Sequence, residues 1–353
     1  MPDASTLRLP WLAAPLRRTL ERHAGHALLV QGPCDVSQFE LALALAQGWL
    51  CEADAVAVGD RPCGLCASCR LFHARSHPDL LVLLPEALRE SLGWTTGEGE
   101  EGGEEKSGKK KPSKEIRVDE VRVAIAFALT TSARGRGKVV VVHPAERMNA
   151  IAANAFLKTL EEPPGDARFV LASAAPDALL PTIRSRCQAL SLGVPEAHEA
   201  SAWLAKEGVA DPSTLLAACG GQPLEVLTMV SMGIDAAAWR AIPRRVADGD
   251  PSGFRAWPLG RVADALQKLC HDVACIVVGA APRYFPAASL PKSADLSRLV
   301  AVSRELRRFA QDAEHPWLAD LSIDSLVAQC REALQTPRSP RRELEVDSLH
   351  SRA

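Results

Sequence analysis

No apolar run in this 353-residue chain is long enough to cross a bilayer as a helix. The longest, ACIVVGAAP at 274–282, has about half the length required. The opening MPDASTLRLPWLAAPLRRTL lacks the continuous apolar segment of a secretion signal, so a cytoplasmic protein without membrane contact is expected. An excess of either charge is also missing. Against 43 Asp and Glu stand 41 Lys and Arg, a formal charge of -2, which excludes wholesale coating of nucleic acid and leaves only local contacts. What remains, 47% apolar and 24% charged residues, is ordinary globular composition, and the length suffices for two or three domains. In a reducing compartment the ten cysteines should be thiols or metal ligands, not disulfides.

A further absence lies inside LLVQGPCDVSQFELALALAQ (28–47). An apolar strand, a Gly-Pro turn and an apolar helix follow one another, the architecture that cradles phosphate at a helix N-terminus. The chemistry is gone. If Gly32 opens the motif Gly-x-x-x-x-Gly-Lys-Ser/Thr, Ser37 replaces the second glycine, Gln38 the phosphate-binding lysine and Phe39 the magnesium-binding hydroxyl. Asp35 adds a negative charge where phosphates would sit. The strand KVVVVH (138–143) runs into His143 and Pro144 where a magnesium-positioning acid pair belongs, with Glu146 at the following helix start. These losses predict no intrinsic ATPase and no ATP bound by this chain.

Cys51, Cys63, Cys66 and Cys69 form the pattern C-x11-C-x2-C-x2-C. Thiols two residues apart can converge on one ion, and four thiolates close its shell, which favours one structural zinc per chain and leaves no position for catalytic water. The tight spacing lacks the ferredoxin arrangement of an iron–sulfur site. The other cysteines, Cys34, Cys187, Cys219, Cys270, Cys275 and Cys330, read as packing residues.

Residues 26–193 alternate short β-branched runs with helical stretches, which predicts a mostly parallel sheet covered by helices on both faces. The 93–115 stretch is an acidic block followed by a basic one and cannot bury a core, so it reads as a solvated insertion. After Pro195 the pattern is helical. Val262, Leu266, Leu269, Val273 and Ile276 form one apolar stripe, and Ile323, Leu326, Val327, Cys330 and Leu334 another. Between the two α/β strands, Met148, Ile151, Ala152, Ala155 and Phe156 read as the buried face of a helix that Pro163 and Pro164 end. Glu161 and Glu162 read as solvated or bound to nearby backbone, since a helix C-terminus disfavours carboxylates.

The segments LKTLEEPP (157–164), LLPTIRSRC (179–187) and HPDL (77–80), with the four-cysteine module after a broken phosphate loop, resemble the AAA+ clamp-loader family, in its bacterial DNA polymerase III delta prime branch. The resemblance covers about residues 10–240. It implies an AAA+ domain at 1–193 with a zinc module at 51–75, a helical lid at 194–243, an all-α collar at 244–335 and a flexible tail at 336–353. It also implies that Arg186, within the motif Ser185-Arg186-Cys187, enters a neighbouring motor subunit's ATP site as an arginine finger. A guanidinium suits that task because it is always charged and bidentate toward phosphate. In GGQPLEVL (220–227), Leu224 takes the position of a further phosphate-contacting arginine. The implied role is a non-catalytic stator of the DNA polymerase III holoenzyme. Its partners would be gamma/tau motor subunits and a delta subunit in a hetero-pentamer that loads a sliding clamp on primed DNA, nucleoid-associated through the replisome. The alternatives are an ATP-hydrolysing motor of the same assembly and a zinc-containing nucleic-acid-binding module, though only Arg61, Arg70 and Arg75 lie near the thiols in sequence.

Overall fold

The computed structural model describes residues 9–34, 36–94, 112–311 and 318–335. The expectations for Asp35, for most of the 93–115 insertion and for the 336–353 tail lie outside the described residues. The chain divides into two compact units, Met1–Gly208 with Gly221–Glu225, and Val209–Gly220 with Val226–Ala353.

In the first unit five strands form one sheet: β1 (Ala27–Gln31), β2 (Leu80–Leu83), β3 (Val139–Val142), β4 (Arg168–Ser173) and β5 (Gln188–Ser191). Every pairing is parallel and the order is β2-β3-β4-β1-β5. Residue alternation sends the side chains to two separate cores. Leu28, Val30, Val139, Val141, Val170 and Ala172 face one, with α1 (Ala13–Arg22) and α2 (Gln38–Leu50). Ala27, Leu29, Val140, Val142, Phe169 and Leu171 face the other. Two short helices, α3 (Ala67–His73) and α4 (Glu86–Arg89), precede α5 (Val118–Leu129) and α6 (Ala150–Glu161), which close that second face. Helices on both faces of a parallel sheet are what the alternating pattern predicts.

The buried face of α6 is Ala152, Ala153, Phe156, Thr159 and Leu160, whereas Ile151 is exposed. Of the stripe read from the sequence, Met148, Ala152 and Phe156 are buried, Ala155 is half-buried and Ile151 is not part of the face. Met148 precedes the helix, which begins at Ala150 behind the Asn149 cap. Phe156 is fully buried edge-on to Phe169, with ring centroids 5.3 Å apart, so truncating it would cost about 3–5 kcal/mol.

A one-turn helix α7 (Pro181–Arg184) lies between β4 and β5, and the first unit continues past residue 193, through α8 (Ala197–Lys206), to Gly208. Then follow α9 (Pro212–Ala218), α10 (Pro223–Ser231), α11 (Ala236–Asp248), α12 (Leu259–Val277), α13 (Leu296–Gln311) and α14 (Ala319–Leu334). The described residues of the second unit contain no strand. Its core holds both predicted stripes, with Ile276 only half-buried. Fully buried Asp272 accepts hydrogen bonds from the backbone N–H groups of Arg283, Tyr284 and Phe285, fixing the α12–α13 connection.

Candidate functional site: a filled phosphate loop, a thiol cluster and a paired arginine

At the carboxyl end of β1, where open parallel sheets bind ligands, the loop is closed on itself. The Gln38 amide donates to the Gly32 carbonyl at 2.8 Å and to that of Pro33, so the residue in the lysine position pins the loop. Gly32 remains necessary for a packing reason. A Cβ there would stand 2.6 Å from the Leu192 carbonyl oxygen, which follows β5. Ser37, in the left-handed conformation at φ 76°, is buried, and its hydroxyl has no hydrogen-bond partner among the described residues.

Phe39, in the magnesium-ligand position, stacks on His143, the residue at the end of β3. Their ring centroids are 4.5 Å apart and the planes are 18° from parallel. The two positions that would share a magnesium ion are instead filled by two flat rings. Burial lowers the His143 pKa to about 4 despite the nearby Glu146 carboxylate, so the imidazole is neutral at physiological pH. Among the described residues its Nδ1 is buried without a partner, as is Oε2 of Glu146, while Glu146 Oε1 accepts from the Ala174 N–H at 3.2 Å. Leu224 packs half-buried against the apolar cluster that contains Phe39.

The four predicted thiols converge. The Sγ atoms of Cys51, Cys63, Cys66 and Cys69 all lie within 4.8 Å of one another, with Cys51–Cys66 and Cys63–Cys69 at 4.0 Å. Four sulfurs at zinc-bond length, about 2.3 Å from one ion, would stand roughly 3.8 Å apart, so this donor set fits tetrahedral zinc. Backbone N–H groups point at the sulfurs: Cys63 to Cys51, Cys66 to Cys63 and Cys69 to Cys66, at 3.3–3.5 Å. Burial opposes ionisation of Cys63, but the N–H groups of Leu65 and Cys66 with the neighbouring thiols bring it down to about 6.

HPDL, singled out only through resemblance, has a physical role here. The Asp79 N–H donates to His77 Nδ1 at 3.0 Å, which places the ring proton on Nε2. Nε2 then donates to Ser68 Oγ at 2.7 Å, and Ser68 donates to the Leu50 carbonyl at 2.6 Å. Fully buried Asp79 accepts from Ser132 Oγ and from the N–H groups of Ala133 and Arg134 at 2.8–3.0 Å, with Lys138 Nζ at 3.4 Å. Burial alone would raise its pKa, yet these donors hold it below the usual carboxylate range. Arg134 extends the network to Glu52, next to Cys51, at 2.5 and 3.0 Å. The chain through Ser68, His77 and Asp79 therefore fastens the thiol module to the first residues of β2 and β3.

Arg186 lies just beyond α7. Its Nε donates to Glu161 Oε1 at 2.6 Å and Nη2 to the same oxygen, while Nη1 donates to the Thr182 carbonyl at 2.8 Å and to Ser185 Oγ at 3.2 Å. Glu161 thus binds a side chain, where the sequence suggested solvent or backbone. The signal was available: a carboxylate at the last residue of a helix opposes the helix dipole and calls for a cation. Ser185 is exposed and donates to the Thr182 carbonyl at 3.1 Å. Cys187 packs against the α6 side of the core, and burial pushes its thiol up to about 12. Among the cysteines read as packing residues, Cys34 is exposed.

The family described as "DNA polymerase III, delta subunit" matches residues 13–196. The DNA polymerase III subunit delta' of Pseudomonas aeruginosa is 38% identical over 217 residues, 60% of this chain and 58% of that protein. The subunit delta' of Escherichia coli is 36% identical over 214 residues, 59% and 56% of the two chains. A DNA polymerase III subunit tau, from Salmonella typhimurium, is 30% identical over 162 residues, 46% of this chain and 21% of that one. The chain spans less than two thirds of the length of these curated relatives.

Proposed function

Because this chain belongs to the DNA polymerase III delta-subunit family, we propose that it is a delta prime-type stator of a clamp loader, which binds no ATP itself and supplies Arg186 to a neighbouring motor subunit's ATP site. The observation that carries this reading is the Phe39–His143 stack, which fills the phosphate-loop and strand-end positions with rings that offer phosphate and magnesium no charge. Gln38 has its amide turned into the loop. The charge suited to phosphate lies elsewhere, on the partly exposed Arg186.

On this reading the chain's residues act by position. The sheet and α6 hold α7 rigidly, and α7 carries the Arg186 fork to the surface. There the guanidinium neutralises charge developing on a phosphoryl group bound by the neighbour; in GTPases such an arginine contributes roughly 10³–10⁵ in rate. Cys51, Cys63, Cys66 and Cys69 would hold zinc, which when bound supplies a cross-link between the end of α2 and the start of α3 and no reactive position. The helical second unit assembles with gamma/tau and delta subunits in a pentamer that opens a sliding clamp at primed DNA. The soluble replisome of the cytoplasm is its setting.

The test is a reconstituted loader with clamp and primed DNA, comparing wild type with Arg186→Ala and Arg186→Lys at equal subunit content. Assembly should persist, ATPase should fall in part because one of several sites is affected, and clamp loading should fall more steeply. Lysine should rescue poorly, since an ammonium cannot present a bidentate fork. Unchanged ATPase and loading for Arg186→Ala would refute the trans role. Low-micromolar ATP binding by the isolated chain in equilibrium dialysis would refute the first half of the proposal.

A further inference from the structure

Resting on the reading of Arg186 as a trans-acting arginine, we infer that Glu161 is its positioning residue, a carboxylate that occupies the phosphate-binding edge of the guanidinium until a neighbour's phosphate displaces it. The fork has two edges and the structure uses them differently. Nε and Nη2, the pair that meets an oxyanion side-on, both bond Glu161 Oε1. Nη1 is tied separately, to the Thr182 carbonyl and Ser185 Oγ of its own turn. The carboxylate therefore stands where a phosphate would, while the rest of the guanidinium is anchored without it.

The helix end favours a cation beside Glu161, but it does not require that cation to bind through its Nε/Nη2 edge. Glu161 is the last residue of α6, where a negative charge is disfavoured by the helix dipole, and both side chains are partly exposed, at 31% for Arg186 and 46% for Glu161. Arg184, two residues away, pairs with a different carboxylate, Asp177, at 2.9 Å and leaves Glu161 to Arg186. A monoanionic carboxylate competes less well for the guanidinium than phosphate oxygens of higher charge, so a phosphate on the neighbour favours exchange of partners. Glu161 thereby makes engagement conditional on nucleotide in the neighbour. Removing its charge frees the Nε/Nη2 edge, and the Nη1 anchor keeps the fork oriented.

The consequence is directional. Without nucleotide, Arg186 stays on Glu161 whether or not the neighbour is docked, so Glu161→Gln should leave nucleotide-free association unchanged. With a non-hydrolysable ATP analogue on the neighbour, the pair must first be broken, and Glu161→Gln should tighten association about two- to fivefold, the range of an exposed ion pair. The experiment measures affinity of the full chain for a purified motor subunit, with and without the analogue. It compares wild type, Glu161→Gln, Arg186→Ala and the double variant, with Glu161→Asp as the conservative control expected near wild type. In the Arg186→Ala background Glu161→Gln should have no effect, because the coupling runs through the guanidinium. If Arg186→Ala leaves the nucleotide-dependent gain intact, the trans-arginine reading itself falls. If Arg186→Ala abolishes the gain but Glu161→Gln matches wild type, or alters affinity equally in the Arg186→Ala background, the role assigned to Glu161 is overturned and the trans-arginine reading stands.

Discussion

Replacing His143 with Phe should flatten the acid side of the first unit's stability curve. Burial depresses the His143 pKa from 6.5 to about 4, against the opposing pull of the Glu146 carboxylate and of a hydrogen bond with the Ala172 backbone. The folded unit therefore binds fewer protons than the unfolded chain between those values, and stability falls as pH drops through that window. The contribution is fully present above pH 6.5 and lost progressively toward pH 4. Linkage with these two pKa values gives a loss of about 2 kcal/mol on going from pH 7.5 to 5. Phenylalanine keeps the ring against Phe39, cannot be protonated, and removes a buried Nδ1 that has no partner among the described residues, a defect worth about 1–3 kcal/mol at any pH. Phenylalanine also gives up the hydrogen bond with the Ala172 backbone, which opposes that gain at pH 7.5, but the balance should shift toward His143→Phe by about 2 kcal/mol between pH 7.5 and 5. Hydrogen exchange of the β1 and β3 amides in urea reports this unit alone and cancels the groups common to both proteins. Parallel curves for the two proteins would show that the imidazole is not held neutral by the stack.

The thiol set should bind one zinc per chain. Cys66→Ala should lower metal content by elemental analysis and expose the 51–75 segment to protease, and a visible absorption band from iron would contradict the assignment. Asp79→Asn should cost about 3 kcal/mol, since it leaves nearly buried Lys138 facing a neutral partner, and denaturant midpoints within error of wild type would refute the fastening role given to the network. Gln38→Lys with Phe39→Thr should not restore ATP binding, because His143 still ends β3 in place of an acid. Labelled-ATP dialysis of the double variant decides this.

The sheet was legible because its central strands are runs that suit no other element. VVVV at 139–142 and FVLA at 169–172 are β-branched or apolar without a helical period, and they pair with each other inside the sheet, FVLA also pairing with β1. The thiol cluster was legible because its ligands lie close in sequence. On α6 the periodic reading holds at Ala152 and Phe156 and fails at Ile151, because the buried face leans toward Ala153, Thr159 and Leu160. The Phe39–His143 stack could not be read at all. The two residues are remote in the chain and meet only because β1 and β3 end on the same edge of a parallel sheet. Either alone signals the loss of a ligand, and only their contact shows that the vacated space is packed.

That packing bears on what the chain can do if, as proposed, it has no ATP chemistry of its own. An active phosphate loop presents backbone N–H groups to its ligand and gains stability when the ligand binds, so its conformation follows nucleotide concentration. Here the loop is held by Gln38 on the Gly32 and Pro33 carbonyls, and by Phe39, only 6% exposed, whose burial contributes about 1.5–3 kcal/mol at all times. On the proposed reading, the first unit therefore carries its rigidity in its own side chains and should keep one shape whether ATP is abundant or absent. A fixed shape is what a stator requires. On the proposed reading, the nucleotide-sensitive contact is the Glu161–Arg186 pair, and it answers to the neighbour's phosphate, not to any ligand of this chain.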